Sequence, residues 1–422
     1  MHHFALRRLH AAIAGLRQRV LLVLLVIAAA GCGRAGGPVQ DAYGACNAFG
    51  GAHRANDFSL SEAEPVHELT VVTFPGLTGG IMAPPLELSG TRMAFIARSA
   101  TSATLAVVRR DSLLSRYDFP PDQHPMPALA ADSAGVIYAI TTRGTLHAIG
   151  GEGKLLWQRE TFTDPPADDI VVPAAPLALG RGVVVGNSAG EMARYDEKGA
   201  PVWKIRRGGS PGRFFAADPA LGIVVGLTGN SYETIDSVSV IDAATGTERW
   251  TAALPAGQLV YGPVIIGNLI VAGAAARDEQ QLRAPYLIAF HGDGTAAWRH
   301  PLVLMPRGIA GDREGNIYVS CAGISAIAMG GAMVSIDQSG GQRWQVAFES
   351  GLPAPPLVSR EWVYAITRNQ GRTGLFTYGR DGTYGSFVSI HLQPDVLATL
   401  MLSSYGEPVM AGVNQPVLIR GN

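Results

Sequence analysis

The chain has 422 residues, of which 52 are glycine, and only 16% of its residues are charged while 47% are hydrophobic. This balance excludes a disordered chain, which needs few apolar residues, and a coiled coil, which is rich in charge and poor in glycine. The net charge of −1 gives no sign of a nucleic-acid partner. Many glycines with few charges are typical of short strands joined by tight turns, because glycine reaches positive φ without strain.

The N-terminus has the pattern of an export signal. Several arginines precede an uncharged apolar run of 11 residues, Val20 to Ala30, which is too short to span a bilayer as a helix. The run ends in Ala-Ala-Gly-Cys32, which resembles the bacterial lipobox, where small residues precede a cysteine that is lipidated after cleavage. The resemblance implies a signal peptide at 1–31, lipidation of Cys32 and an N-terminal tether at 32–65. The alternative is an ordinary signal peptide with a chance cysteine.

The residues around the proposed anchor bear on the compartment. Gly33 follows the cysteine, where an Asp would resemble an inner-membrane retention signal, so the outer membrane, facing the periplasm, is favoured. Disulfides persist outside the cytoplasm, so Cys46 and Cys321 could pair. The alternative is two separate small apolar side chains, and the sequence does not decide between them.

Five tryptophans mark a repeat along the rest of the chain. They recur every 46 to 48 residues, each four residues after a glycine: Trp157, Trp203, Trp250, Trp298 and Trp344. Each unit reads as two short β-branched runs, a glycine turn, and a strand carrying the tryptophan, with a fainter Pro-containing strand in front. Four antiparallel strands in about 45 residues are typical of a propeller blade.

The period and the two chain ends predict the number of blades. Extending the period places further anchors at Phe74, Tyr117 and Phe387, which makes eight. Three strand-like runs follow Phe387 without a fourth, and His67–Phe74 is a lone strand of that fourth type. We therefore expect an all-β, eight-bladed propeller over 66–422, built of four-stranded antiparallel blades and closed by one blade shared between the two ends. Seven blades with stray strands is the alternative.

The repeated residues point to structure, and no catalytic residue or metal ligand is predicted. A tryptophan that recurs once per blade is expected to dock each blade on its neighbour. The Asp and Gly of the repeated turns are expected to be turn chemistry, because Asp bonds the turn backbone and Gly takes positive φ. The histidines are scattered singly, and neither a P-loop nor a G-x-S-x-G elbow occurs.

Loop length is the irregular feature of the repeat. The connection between the second and third strands is short in blades two and three and is predicted to lengthen into loops in blades four to seven. Equivalent connections lie on one face of the ring, and insertions on one face often mark a binding surface. A further long connection, 162–172, falls on the same face. The alternative is drift in unconstrained loops. The candidate partner-contacting residues are Tyr232, Glu233, Arg277, Asp278 and Arg283.

The segment "IYAITTRGTLHAIGGEGKLLW" and its repeats resemble the PQQ-like repeat of quinoprotein-type propellers. With the lipobox, the architecture resembles outer-membrane assembly lipoproteins of the BamB kind. The resemblance implies a non-enzymatic scaffold, a monomeric propeller that binds envelope proteins within a complex, is anchored to the membrane by lipid and has no cofactor. PQQ-dependent dehydrogenases carry adjacent cysteines or a C-x-x-C-H motif, and this chain has neither. A ligand- or carbohydrate-binding propeller and a PQQ-dependent oxidoreductase are the alternatives.

Overall fold

The computed structural model describes the propeller with several gaps. The described ranges are 57–58, 65–82, 85–88, 92–162, 173–206, 215–231, 234–254, 258–277, 282–323, 330–351, 354–369, 372–390, 400–402, 407–412 and 417–421. Every regular element within them is a β-strand, and the strands form eight small antiparallel sheets, which confirms the predicted eight-bladed all-β propeller. The signal, Cys32 and Cys46 lie outside the described residues.

Each sheet is one blade, with its first strand nearest the ring axis and its fourth at the outer rim. Blade one contains Gly80–Ile81, Arg92–Arg98, Ala103–Arg109 and Ser112–Asp118, with Leu86–Leu88 also paired to its second strand. The strands of blades two to four are Pro125–Ala131, Ile137–Thr141, Thr145–Ile149 and Leu155–Glu160; Leu177–Ala178, Gly182–Gly186, Glu191–Asp196 and Pro201–Arg206; and Phe215–Asp218, Ile223–Ser231, Thr234–Asp242 and Glu248–Ala253.

The remaining blades follow in chain order. The strands of blade five are Gln258–Ile266, Leu269–Arg277, Leu282–His291 and Ala296–Pro301, and those of blade six are Met305–Gly311, Ile317–Ala322, Gly331–Ile336 and Gln342–Phe348. The strands of blade seven are Leu357–Ser359, Trp362–Asn369, Arg372–Gly379 and Tyr384–Ser389. Asp57–Phe58 is added to the first strand of blade seven. Blade eight combines Met401–Leu402, Pro408–Ala411 and Val417–Gly421 with Leu69–Thr73.

Blade eight closes the ring with strands from both ends of the chain. Leu69–Thr73 pairs antiparallel with Val417–Gly421 over five residues, so the N-terminal strand supplies the outer edge of a blade begun by the C-terminus. This confirms the predicted shared blade and excludes seven blades with stray strands. Closure in this way gives blade eight four strands and gives blades one and seven a neighbour on each side.

The five tryptophans each span the junction between two neighbouring blades. Every indole Nε1 donates a hydrogen bond of 2.8–3.0 Å to a carbonyl in the glycine turn of the following blade. A Cβ on the turn glycine would lie 2.8 Å from the indole in all five cases, and each of these glycines has positive φ. Glycine is therefore required both by the turn and by the close approach of the ring. The turn glycines are Gly199, Gly246, Gly294, Gly340 and Gly382.

The anchors that the period places in blades one and seven are wrong in register. In the tryptophan blades the indole residue is paired just before a bulge in the outer ladder. Ser115 and Ser386 hold that place in blades one and seven, not Tyr117 and Phe387. The Ser115 hydroxyl donates to the Gly151 carbonyl at 3.0 Å, in the turn of the following blade. Serine takes the place of tryptophan at this position, so the sequence has no large apolar residue to mark it. The sequence-based period therefore assigned the position to the nearest aromatic residue instead.

Candidate functional site

The ring has two faces that differ in what they carry. In an antiparallel blade successive connections alternate between the two ends of the strands. The connections between second and third strands, and those from one blade to the next, share one end, which we call the hairpin face. The connections between first and second and between third and fourth strands share the other, which we call the turn face and which holds the Asp-Gly turns.

Blades four and five rise above blade three on the hairpin face. The second and third strands of blade three pair over five positions, from Gly182 opposite Asp196. In blade four the ladder that begins with Ile223 opposite Asp242 continues to Ser231 opposite Thr234, and both strands are nine residues long. The second strand gains four residues and the third gains three, which extends the hairpin by about 10–13 Å.

The long connections of blades four and five are therefore ladders, and the sequence-based prediction of loops there is wrong. Most of the added residues of both blades are in strands, and blade five pairs as far as Arg277 opposite Leu282. Each insertion lengthens both strands of one hairpin. The added backbone groups of the two strands can therefore hydrogen-bond to each other. Blade seven is also lengthened, with two eight-residue strands.

Two of the five predicted partner-contacting residues, Arg277 and Arg283, lie in the described residues. Tyr232, Glu233 and Asp278 lie outside the described residues. Arg277 ends the second strand of blade five, and Arg283 lies in the third strand opposite Ala276, one ladder step from Arg277. The backbone thus brings the two arginines to neighbouring positions at the end of one hairpin. The connection 163–172, with its acidic residues, is outside the described residues.

A continuous core supports the bases of the tall hairpins. One cluster of buried side chains runs through blades four, five and six, and includes Val225, Val271 and Val319, one from the second strand of each blade. Ala274, which lies in the extended part of the blade-five hairpin, is also fully buried in this cluster. The three blades therefore form one packed body beneath the hairpins, so the hairpin bases are held rigidly relative to one another.

An exposed aliphatic residue that the sequence analysis missed lies beside the blade-five hairpin. Val303 is 84% exposed, the largest exposed fraction among the large hydrophobic side chains of the described residues. The preceding Leu302 donates its backbone N–H to the Pro285 carbonyl at 2.8 Å, which fixes this connection against the hairpin. A small cleft beside it is lined partly by Leu304 and Cys321. Within the run "PLVLM" Val303 looks like a core residue, and only the tertiary structure shows that it faces solvent.

The carboxylates of the turn face are occupied by turn and junction contacts. Hydrogen bonds from Arg249 and from the turn residue Thr245 lower the pKa of Asp242 to about 2. Asp337 likewise accepts bonds from its own turn, and these lower its pKa. Between blades six and seven, the guanidinium of Arg380 contacts the buried carboxylate of Asp312 and the exposed Glu314. These groups hold the fold, and none of them forms a free acid-base pair.

A buried histidine lies at the junction of blades one and two. His147 is fully buried, its Nδ1 is 3.1 Å from the Tyr117 hydroxyl, and its Nε2 has no hydrogen-bond partner among the described residues. The ring also packs against Phe119. Burial disfavours the charged imidazolium and lowers the pKa of His147 to about 4.

Acidification should weaken the fold through this histidine. The unfolded chain binds the proton near pH 6.5 and the folded chain only near pH 4, so the free energy of unfolding should rise by about 3 kcal/mol from pH 4 to 6.5 and stay level above. Denaturant titrations across this range measure the slope. His147→Phe should flatten it, whereas His291→Phe, at an exposed side chain, should not. Equal slopes in the wild type and His147→Phe would contradict this assignment.

The described residues contain neither a metal-ligand cluster nor a membrane-spanning helix. Where the structure describes the chain, no three His, Cys, Asp or Glu side chains come together in a way that could hold a metal ion. Nor does this part of the chain contain a helix long and apolar enough to cross a membrane.

Several solved structures share the fold. BamB from Moraxella catarrhalis aligns at 14% identity over 85% of this chain and 100% of that chain, with a TM-score of 0.52. A europium-containing methanol dehydrogenase aligns at 13% identity over 86% and 93% of the two chains, with a TM-score of 0.57. The C-terminal WD40 domain of Sif2 aligns at 12% over 86% and 99%, with a TM-score of 0.58. Identities this low show the fold alone.

Sequence comparison identifies the family. No functionally curated protein matches the sequence significantly. A family model described as outer membrane protein assembly factor BamB matches residues 103–277 and 237–383, which together span about two thirds of the chain. These matches run from the third strand of blade one to the turn after the third strand of blade seven and include all five junction tryptophans. The chain therefore belongs to the PQQ-like repeat family of BamB-type propellers.

Proposed function

We propose that this protein is a non-enzymatic, lipid-anchored scaffold of the bacterial cell envelope that binds other proteins through its hairpin face. The observation that carries the proposal is the pair of tall, ordered hairpins in blades four and five, which rise from a continuous core on one face only. Membership in the BamB-type family supports a role in outer-membrane protein assembly.

The chemistry of the hairpin face suits a protein partner. Arg277 and Arg283 occupy neighbouring ladder positions at the hairpin end, and Val303 presents an aliphatic side chain at the hairpin base. Protein interfaces combine a desolvated apolar centre with arginine and aromatic anchors, and a few such residues carry most of the binding energy. The turn face differs, because Asp242 and Asp337 bond within their own turns, Asp312 contacts Arg380 of the next blade, and the five indole N–H groups bond across blade junctions.

Shortening the blade-five hairpin should abolish partner binding while keeping the fold. Gly273 and Leu287 correspond in register to Gly186 and Met192 of blade three, and Ala275 and Pro285 lie two ladder steps further along, on the same side of the sheet. Residues 276–284 between them can therefore be replaced by Asn-Ser-Ala-Gly-Glu from blade three. The exchange leaves the buried Ala274 in place. The single variants Arg283→Ala and Val303→Asp should each weaken partner binding by about 1–3 kcal/mol.

The measurement is recovery of partners with the lipidated protein from its own envelope, together with thermal unfolding of each variant. Lys198→Ala, at an exposed position on the turn face, is the matched control and should retain every partner. If all partners co-purify at wild-type yield with the shortened hairpin, that hairpin is not the interface, and the turn face or the outer rim must be tested instead.

Removing the thiol of Cys32 should release the protein from the membrane. In Cys32→Ser no acyl group can be attached, so we expect an unprocessed or soluble precursor in place of a membrane-bound mature form. Fractionation of the envelope and mass spectrometry of the N-terminus measure both. A wild-type protein that is cleaved at another position and recovered free in the periplasm would contradict lipid anchoring.

The second candidate is a quinoprotein oxidoreductase, which the fold shared with a methanol dehydrogenase favours. PQQ would bring the oxidising quinone that accepts hydride equivalents from an alcohol, but this chain lacks the adjacent cysteines of such enzymes. Expression with added PQQ and Ca²⁺ separates the candidates, because an enzyme would retain a quinone absorption band after gel filtration. A propeller that binds a sugar or another small ligand would instead show saturable binding in a calorimetric screen.

A further inference from the structure

The inner edge of blade seven carries a strand from the start of the chain. Asp57–Phe58 pairs in parallel with Leu357–Ser359, Asp57 beside Val358 and Phe58 beside Ser359. Leu357–Ser359 is the first strand of its blade, so its free edge faces the ring axis. The added strand therefore lies at the wall of the central channel.

The direction of the pairing gives the path of the chain. First strands run from the hairpin face to the turn face, because each receives its blade-to-blade connection on the hairpin face. Asp57–Phe58 is parallel to such a strand, so it enters the channel from the hairpin face and leaves it at the turn face. If the two strands were antiparallel, the chain would enter at the turn face and leave at the hairpin face.

Val66 gives independent evidence for the exit at the turn face. Its carbonyl accepts a hydrogen bond of 2.9 Å from the Ser386 hydroxyl, near the start of the outer strand of blade seven. Its side chain is buried in the cluster between blades seven and eight. From this point Leu69–Thr73 runs back along the outer edge of blade eight toward the hairpin face.

We infer that the first strand of blade seven is a strand-addition site for this chain's own N-terminal segment, which enters the central channel from the hairpin face. The pairing satisfies backbone groups that would otherwise line the channel wall unpaired. The segment is covalently attached to the ring, so its effective concentration at this edge is high. The part of the channel beside blade seven is thereby closed to other ligands.

The path of the N-terminal segment also determines which face of the ring would be joined to the membrane. This consequence rests on the proposed lipid anchor. Residues 33–56 would connect Cys32 to the entrance of the channel, and even fully extended they span no more than roughly 90 Å. The tether would emerge on the face that bears the tall hairpins. The partner surface and the anchor would then lie on the same side of the ring, with the turn face directed away from the membrane.

Occupancy of the channel is tested by a disulfide between Asp57→Cys and Val358→Cys in a Cys46→Ser background. Cys321 can stay, because it is buried and burial raises its pKa to about 12. Paired positions in neighbouring strands are close enough for a disulfide, so mild oxidation should cross-link most molecules. The control pairs Asp57→Cys with Val71→Cys on the outermost strand of blade eight, and should not cross-link. Equal cross-linking in both pairs, or none in the first, overturns the inference.

The side of entry is tested by spin-label distances in the intact chain. A label at Ala52→Cys should lie nearer to a label at Val303→Cys, on the hairpin face, than to one at Gln338→Cys, in an exposed turn of the opposite face. A shorter distance to Gln338 overturns the direction. Neither experiment depends on a partner, so a positive result with unchanged partner recovery in the hairpin variants would reject the proposed function while leaving this inference standing.

Discussion

Deletion of residues 395–422 should leave the protein without a closed ring. The deletion removes three strands of blade eight. The fourth strand, Leu69–Thr73, stays in the chain but loses its ladder partner, Val417–Gly421. Blades one and seven then each lose the neighbour that covers one of their faces, and open edges favour aggregation. We expect loss of the monomer in size-exclusion chromatography and loss of cooperative melting. A truncated protein that stays monomeric with wild-type melting would contradict closure as a source of stability.

A point substitution tests the same seam without deleting chain. Leu418 is fully buried against Val72 and Phe95, so Leu418→Asp places an unpaired carboxylate in the core between blades eight and one. We expect a loss of more than about 4 kcal/mol in the free energy of unfolding. Val71→Asp is the matched control on the facing strand, because Val71 is 45% exposed and should tolerate the charge. Similar losses in both variants would show that the seam is not the cause.

Trp203→Ala should be the most damaging of the junction tryptophan substitutions. Trp203 is 7% exposed, whereas the other four are only partly buried, and it packs with Leu177 and Met192 of its own blade. Truncation leaves a cavity between blades three and four, so we expect a loss of about 3–5 kcal/mol in the free energy of unfolding. Chemical denaturation of the purified protein measures it.

Two control variants test whether the loss of stability comes from the buried ring rather than from its hydrogen bond or from any junction tryptophan alike. Trp203→Phe keeps an aromatic ring, and the Ala243 carbonyl keeps the 2.7 Å bond from Arg194, so the loss should be well below that of Trp203→Ala. Trp298→Ala removes a less buried ring and should also cost less. Equal losses for Trp203→Ala and Trp298→Ala would contradict burial as the determining factor.

The sequence alone determined the class, number and closure of the blades. These properties depend on local signals that repeat, namely a glycine turn, a tryptophan four residues later and short β-branched runs before them. Each repeat is one supersecondary unit that buries its faces only against its neighbours, so the period predicts the ring. The lone strand before Phe74 and the three strands after Phe387 predicted the shared blade for the same reason.

Only the tertiary structure decided features that depend on pairing partners and burial. Ser115 and Ser386 hold the position of the tryptophan because pairing with the neighbouring strand sets the register. A serine does not mark that position in the sequence pattern. The insertions of blades four and five became ladders because both strands of each hairpin lengthened together. Val303 faces solvent because its connection bonds to Pro285, and Asp57–Phe58 reaches the channel through an edge some 300 residues later in the chain. Such contacts join residues far apart in sequence, so no local pattern could predict them.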